Sequence, residues 1–258
     1  FGAIVLANSD GFVGSYASSS YSLSVSPIAL DSQNGGMQRD YWYSLARQSN
    51  GLESAIVVGE EAGRRTVARL SPQKATTGNY PILLSPQLAS GLLGHLLGAI
   101  GGGAQYRKAS FLLDSLGSQV LPKWMSLRED PHILGSLGSA YFDGDGVATR
   151  INEFVSQGSV SSYILSNYSA RKLDMQTTGN AGGVHNLDII APETSHADLL
   201  KQMNTGLLVT ELMGQGVNAV TGDYSRGASG FWVENGEILY PVDELTIAGN
   251  LKDMLLNI

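Results

Sequence analysis

Leu207-Leu208-Val209-Thr210, followed by Phe231-Trp232-Val233-Glu234-Asn235-Gly236-Glu237-Ile238-Leu239-Tyr240, is the stretch that decides the fold. Each apolar run has strand length, and Asn235-Gly236 is the two-residue signal of a tight hairpin turn. Towards the C-terminus, Leu245 to Ile258 reads as a strand running into a short final helix. Towards the N-terminus, Ala197 to Met203 reads as a short helix capped by Thr194 or Ser195, and Val155 to Ser166 as a hairpin.

Helical signals lie further back. Ser85 is a good N-cap and Pro86 is favoured at a first helical position, so the pair opens a helix. Leu88, Leu92, Leu96 and Ala99 keep helical spacing, and Gly101-Gly102-Gly103 ends the run. Glu53 to Leu70 predicts a second helix, with Ile56, Val57, Ala62, Val67 and Leu70 as its apolar stripe. Its Arg64, Arg65 and Arg69 lie towards the C-terminal end, where the helix dipole favours cations. Tyr80-Pro-Ile-Leu-Leu predicts a short buried strand, and residues 104–150 read as irregular, with one helix expected over Phe111 to Leu116.

The N-terminal region alternates apolar and small polar residues in Tyr21-Ser-Leu-Ser-Val-Ser26, a strand with one buried face. Ile4-Val5-Leu6 precedes it with a turn signal at Asn8-Ser9-Asp10-Gly11. Asn34-Gly35-Gly36 marks a hairpin, with Met37 to Leu45 as the returning strand. Strands and helices do not alternate regularly, which disfavours a doubly wound parallel sheet. The expectation is an α+β fold of mixed and antiparallel sheets with a few packed helices.

Composition bounds the function. The chain has 258 residues, 43% of them hydrophobic, and can bury a sizeable core. Its net charge of −7 argues against a surface that neutralises phosphates, so no direct nucleic-acid partner is expected. The absence of cysteine removes disulfides, thiolate ligands and a thiol nucleophile, and fits a cytoplasmic location. The most apolar stretch, Leu88 to Ala104, holds His95 and several glycines and reads as a buried helix rather than a membrane span. Phe1-Gly-Ala-Ile-Val-Leu has no basic start, and no signal peptide is visible.

No self-sufficient catalytic set emerges from spacing. A hydrolytic zinc site needs about three protein ligands and an open position, yet His95, His132, His185 and His196 are far apart in sequence. His185 lies in the glycine-rich Ala181-Gly-Gly-Val-His-Asn, a loop that can approach a ligand. Gly227-Ala-Ser229-Gly230 has the wrong spacing for a nucleophile elbow. Gly98-Ala-Ile-Gly101-Gly-Gly103 follows a helix instead of preceding one, so it is no phosphate loop. Asp143-Gly-Asp145-Gly lacks the further ligands of a calcium loop and reads as a turn.

Several long segments carry a resemblance. They are Thr210 to Glu237, then Thr246-Ile-Ala-Gly-Asn-Leu-Lys-Asp-Met254, Met37-Gln-Arg-Asp-Tyr-Trp-Tyr43, Arg107-Lys-Ala-Ser-Phe-Leu-Leu-Asp-Ser-Leu-Gly117 and Tyr168-Ser-Ala-Arg-Lys-Leu173. Essentially end to end, the chain resembles the TldD/PmbA family of bacterial peptidases, also labelled modulators of DNA gyrase, and within it the PmbA/TldE branch. That likeness implies that residues 1–258 are the central and C-terminal parts of a longer protein, lacking an N-terminal domain and a final β segment. It implies a zinc-binding His-Glu-x-x-x-His helix in the active, TldD-like members. Here the matching helix reads Gly94-His95-Leu96-Leu97-Gly98-Ala99: Gly94 replaces the first His, His95 the Glu and Ala99 the second His. Sliding the match by one residue puts Ile100 on the second His. No zinc is then expected in this chain, and zinc is expected in a TldD-like catalytic partner. The resemblance further implies a pseudoenzyme subunit of a heterodimer, with an extended or unfolded peptide as ligand and self-association as a further option.

His185, Asn186, Glu211, Asp223 and Arg226 are polar groups in glycine-rich turns. They are candidates for lining a peptide cleft or, alternatively, for an unrecognised hydrolase site. A local Asp223–Arg226 ion pair in a turn is the plain structural alternative. Regulation of DNA gyrase is a third reading, to which the acidic charge lends nothing.

Overall fold

The computed structural model describes residues 1–32 and 35–258. β1 (Gly2–Ala7) and β2 (Val13–Ser18) form an antiparallel hairpin. A second ribbon follows, built by β3 (Tyr21–Val25) with β6 (Trp42–Ala46) and by β4 (Ile28–Leu30) with β5 (Met37–Arg39). Pro27 stands where the ladder breaks, because proline has no N–H to donate. The expected returning strand is therefore split at Asp40 and Tyr41. Of its turn signal, Asn34 lies outside the described residues. α1 (Ala55–Ala68) packs on this ribbon, with the Ser54 hydroxyl accepting from the Val57 amide at its N-terminus.

Two four-stranded sheets make up the rest. One, in the order β10-β9-β8-β11, is antiparallel: β8 (Ser126–Glu129), β9 (Asn152–Ser156), β10 (Ser159–Val160) and β11 (Leu187–Ile190). The other runs β14-β13-β12-β7 and is mixed, since β7 (Ile82–Leu84) lies parallel to β12 (Gly206–Met213). β13 (Asp223–Glu234) and β14 (Glu237–Asn250) form the long hairpin that Asn235-Gly236 turns, with both residues at positive φ. α2 (Pro86–Ala99), α3 (Gly102–Tyr106), α4 (Asn167–Lys172), α5 (His196–Met203) and α6 (Leu251–Leu256) complete an α+β fold. Leu96 and Ile100 at the end of α2 meet Leu127, Phe154, Val209 and Leu255 in one core, all fully buried. No helix among the described residues is long and apolar enough to cross a membrane.

Four local expectations are corrected. β7 is not a buried strand: it is the outer strand of its sheet, and Ile82 is 41% exposed. Ser85 occupies the N-cap position of α2, yet its hydroxyl makes no capping bond. The glycine triplet ends α2 but also starts α3, and Gly102 packs so closely on α4 that a Cβ would lie 2.4 Å from the Ser169 hydroxyl. Phe111 to Leu116 is a series of turns. There the Gln105 side chain replaces helical pairing, donating to the carbonyls of Ala99 (2.7 Å) and Leu112 (2.9 Å) and accepting from the Asp114 amide (3.1 Å).

Two polar knots hold the parts together. In the antiparallel sheet, Glu129 is 0% exposed. It accepts from Asn152 Nδ2 at 2.8 Å, Asn180 Nδ2 at 2.9 and 3.0 Å, the His185 amide at 2.5 Å and His185 Nδ1 at 2.7 Å. Burial alone pushes this carboxyl up, but the bonds from His185, Asn180 and Asn152 outweigh it and hold it below the usual range. Between the N-terminal ribbon and the mixed sheet, Arg69, the C-cap of α1, reaches Asp40 at 3.8 Å and also bonds Glu211 and, at 2.9 Å, Ser229.

Glu129→Gln removes acceptor capacity from buried donors and is expected to cost about 2–4 kcal/mol at neutral pH. A depressed carboxyl contributes stability above its unfolded value, about 4.3, and loses it as pH falls through the folded value. The gap between wild type and variant, measured by urea unfolding, should therefore narrow towards about pH 3; an equal gap at both ends would sink this account. Arg69→Met should cost about 1–3 kcal/mol by the same assay, since it takes the cation from Glu211 and Ser229, while Asp40 keeps Arg65 at 3.3 Å. Lys74→Ala, which breaks an ion pair with Glu244 exposed on both sides, should stay within about 0.5 kcal/mol.

Candidate functional site: the cleft beside α2

α2 lies against the β12–β13 face, and the two enclose a cavity of about 150 Å³. Its walls are Leu88, Leu92 and Leu212, and its polar groups are Gln87, Ser90, His95, Tyr224 and Arg226. Strand alternation puts Tyr224, Arg226 and Ala228 on the same side of β13. Tyr224 is 5% exposed, and the His95 ring meets it edge-on at 6.2 Å. Burial first, and the Arg226 charge second, lower the His95 pKa, so the imidazole is neutral at neutral pH. Burial raises the Tyr224 phenol, with Arg226 pulling the other way.

Arg226 donates to the Leu212 carbonyl at 3.4 Å, while its Nε is buried without a partner. Of the three degenerate motif positions, only His95 lines the cleft. Gly94 is exposed with open space around it, and Ala99 is 4% exposed in the core. Gly94 and Ala99 carry no side-chain atom that could ligate an ion. Gly91, Gly94 and Gly98 share the solvent side of α2, and a Cβ on any of them would meet nothing.

The donor set does not suit zinc. The cleft offers one imidazole and no carboxylate, and it carries a guanidinium that repels a cation. Among the described residues, no group of three or more His, Cys, Asp and Glu is placed to hold a metal ion. Asp143 is used up in a turn, its carboxylate accepting from the amides of Asp145, Val147 and Ala181 at 2.9 Å each.

The five cleft candidates fall in five different settings. Arg226 lines the cleft. His185 belongs to the Glu129 knot. Asn186 is spent on structure, accepting from Ser136 and Gly138 and donating to Asp130 and Ser139. Glu211 binds Arg69. Asp223 accepts from Thr221 at 2.6 Å and Asn250 at 3.4 Å, and no ion pair among the described residues joins it to Arg226. Sequence reasoning missed Tyr224, although its place two residues before Arg226 in a strand was a usable signal. It missed Glu129 entirely, since 56 residues separate it from His185.

Known proteins share this sequence and this fold. Residues 1–70 match the domain described as PmbA/TldA metallopeptidase central domain, and residues 77–258 the PmbA/TldA metallopeptidase C-terminal domain. The chain is 52% identical to Metalloprotease PmbA of Escherichia coli O157:H7 over all of its length and 57% of that protein's. It is 51% identical to a Metalloprotease PmbA homolog of Haemophilus influenzae, over 99% of this chain and 56% of that one. The chain thus spans little more than half of these curated relatives. A crystal structure from Bacteroides thetaiotaomicron, labelled a modulator of DNA gyrase, superposes with a TM-score of 0.90 at 30% identity, covering 96% of this chain and 56% of its own. TldE from Thermococcus kodakarensis shares the fold, with a TM-score of 0.85 at 22% identity over 98% of this chain and 59% of its own. The chain belongs to the PmbA/TldD metallopeptidase family.

Proposed function

We propose that this chain serves as a non-catalytic subunit of a heteromeric zinc metalloprotease. A TldD-like partner supplies the metal, and this chain helps to hold the peptide. The observation that carries the reading is the cleft beside α2: where the family's active members place a metal-binding helix, it presents one neutral imidazole beside a guanidinium. Without ligands there is no activated water, and a cation beside the site opposes metal binding. The substrate in this reading is an extended leader peptide or an unfolded small protein, held by strand addition through backbone hydrogen bonds. A cytoplasmic heterodimer, with self-association of this chain as an option, completes the proposal.

A self-sufficient hydrolase built on His185 is the second reading. Glu129 gives that histidine a carboxylate partner and, because a carboxylate only accepts, fixes the proton on Nδ1. Among the described residues, however, no serine or threonine hydroxyl bonds to His185. Regulation of DNA gyrase comes only from the label carried by structural relatives, and a net charge of −7 does not favour a DNA-bound role.

Elemental mass spectrometry of the purified protein should find well under one zinc per chain. Peptidase assays should detect cleavage only after a TldD-like subunit is added. One tightly held zinc per chain, or cleavage by this chain alone that His185→Ala abolishes, would refute the subunit reading.

A further inference from the structure

Arg226 is a cation without a counter-ion. None of the ion pairs among the described residues includes it. A guanidinium carries five N–H donors and no acceptor, and the bond this one makes to the Leu212 carbonyl is long at 3.4 Å. Its Nε is buried and unmet, and a buried donor without a partner costs free energy. The chain has 23 acidic residues, yet no acidic side chain lines the cavity. The groups around the guanidinium are hydroxyls, an amide and an imidazole, set beside the half-buried leucines Leu88, Leu92 and Leu212, so a carboxylate docked there gains a charge-assisted bond.

We infer that this cleft is a recognition pocket for a peptide carboxylate, with Arg226 as its bidentate partner and the Tyr224 hydroxyl as a flanking donor. At about 150 Å³ it is smaller than the roughly 300–1,000 Å³ of a pocket that encloses a whole small molecule. It takes the end of a chain or one side chain, leaving the rest of the ligand outside. A carboxylate suits it better than a phosphate: one guanidinium matches one planar anion, and the cavity offers no second cation. The identity of the ligand as a peptide rests on the subunit reading, whereas the preference for a carboxylate follows from the cleft itself.

Isothermal titration calorimetry on the full chain tests this with an N-acetylated alanine/leucine pentapeptide in three forms. These are the free acid, the C-terminal amide, and the amide with glutamate as its last residue. Inorganic phosphate is the fourth probe. At least one carboxylate-bearing peptide should bind about tenfold or more tightly than the neutral amide, as loss of a charge-assisted bidentate contact dictates. Preference for the free acid alone assigns the pocket to chain ends, and equal binding of the glutamate peptide assigns it to acidic side chains. Arg226→Gln should erase the preference and Arg226→Lys should keep part of it, with circular dichroism checking the fold. Should both variants misfold, the wild-type acid-to-amide ratio still decides. Equal binding of all three peptides, binding of none, tighter binding of phosphate, or a preference that survives Arg226→Gln overturns the inference. A carboxylate preference without reconstituted peptidase activity would sink the subunit reading and leave the pocket standing; the reverse result would sink the pocket alone.

Discussion

Leu96 and Ile100, about one turn apart on α2 and its C-cap, bury completely against a core that includes Val209 of β12 and Ala228 of β13. That packing fixes the rest. It sets the helix across the mixed sheet, and it turns His95 towards Tyr224 and Arg226. The cleft is the space left where the leucines of α2 stop and the polar side of β13 continues. The glycines that flank the helix then stay on the solvent side by default. A polar site beside a hydrophobic seam inherits its geometry from the seam, because interiors are close-packed and transmit displacement.

The second constraint joins the N-terminal ribbon to the mixed sheet. Arg69 is 11% exposed at its side chain and bridges Asp40 to Glu211. Aromatic rings do the same elsewhere: Phe12 and Tyr16 meet Phe142 at 5.2 and 5.3 Å. These contacts tie the region matching the central domain to the region matching the C-terminal domain.

Much of the fold was legible where the pattern is local. Asn235-Gly236 announces its hairpin because the turn demands positive φ at both positions. Ser195 and the stripe behind it announce α5, and the apolar spacing from Leu88 to Ala99 announces α2. Phe111 to Leu116 misled because its pattern is helical while its hydrogen bonds go to a side chain, Gln105, that no local rule pairs with it. The candidate site was legible in half. His95 and Arg226 stood out by motif and by company, but their meeting depends on how α2 packs on β13, which is set by the whole core. The Glu129 knot could not be read at all. Its members come from three distant segments, and each alone is an ordinary polar residue. Long-range polar networks leave no period in a sequence, whereas amphipathic elements do.

The bare side of α2 has a consequence for how the cleft wall behaves. Gly91, Gly94 and Gly98 fill no tight space, so each costs the helix about 1 kcal/mol relative to alanine with no packing return. Cut from the protein, such a segment would spend most of its time uncoiled, since helices of this length are marginal even with good formers. Its helicity is therefore on loan from the core through Leu93, Leu96 and Ile100. The wall that carries His95 is as firm as that hydrophobic grip, and it loosens only when the core itself does.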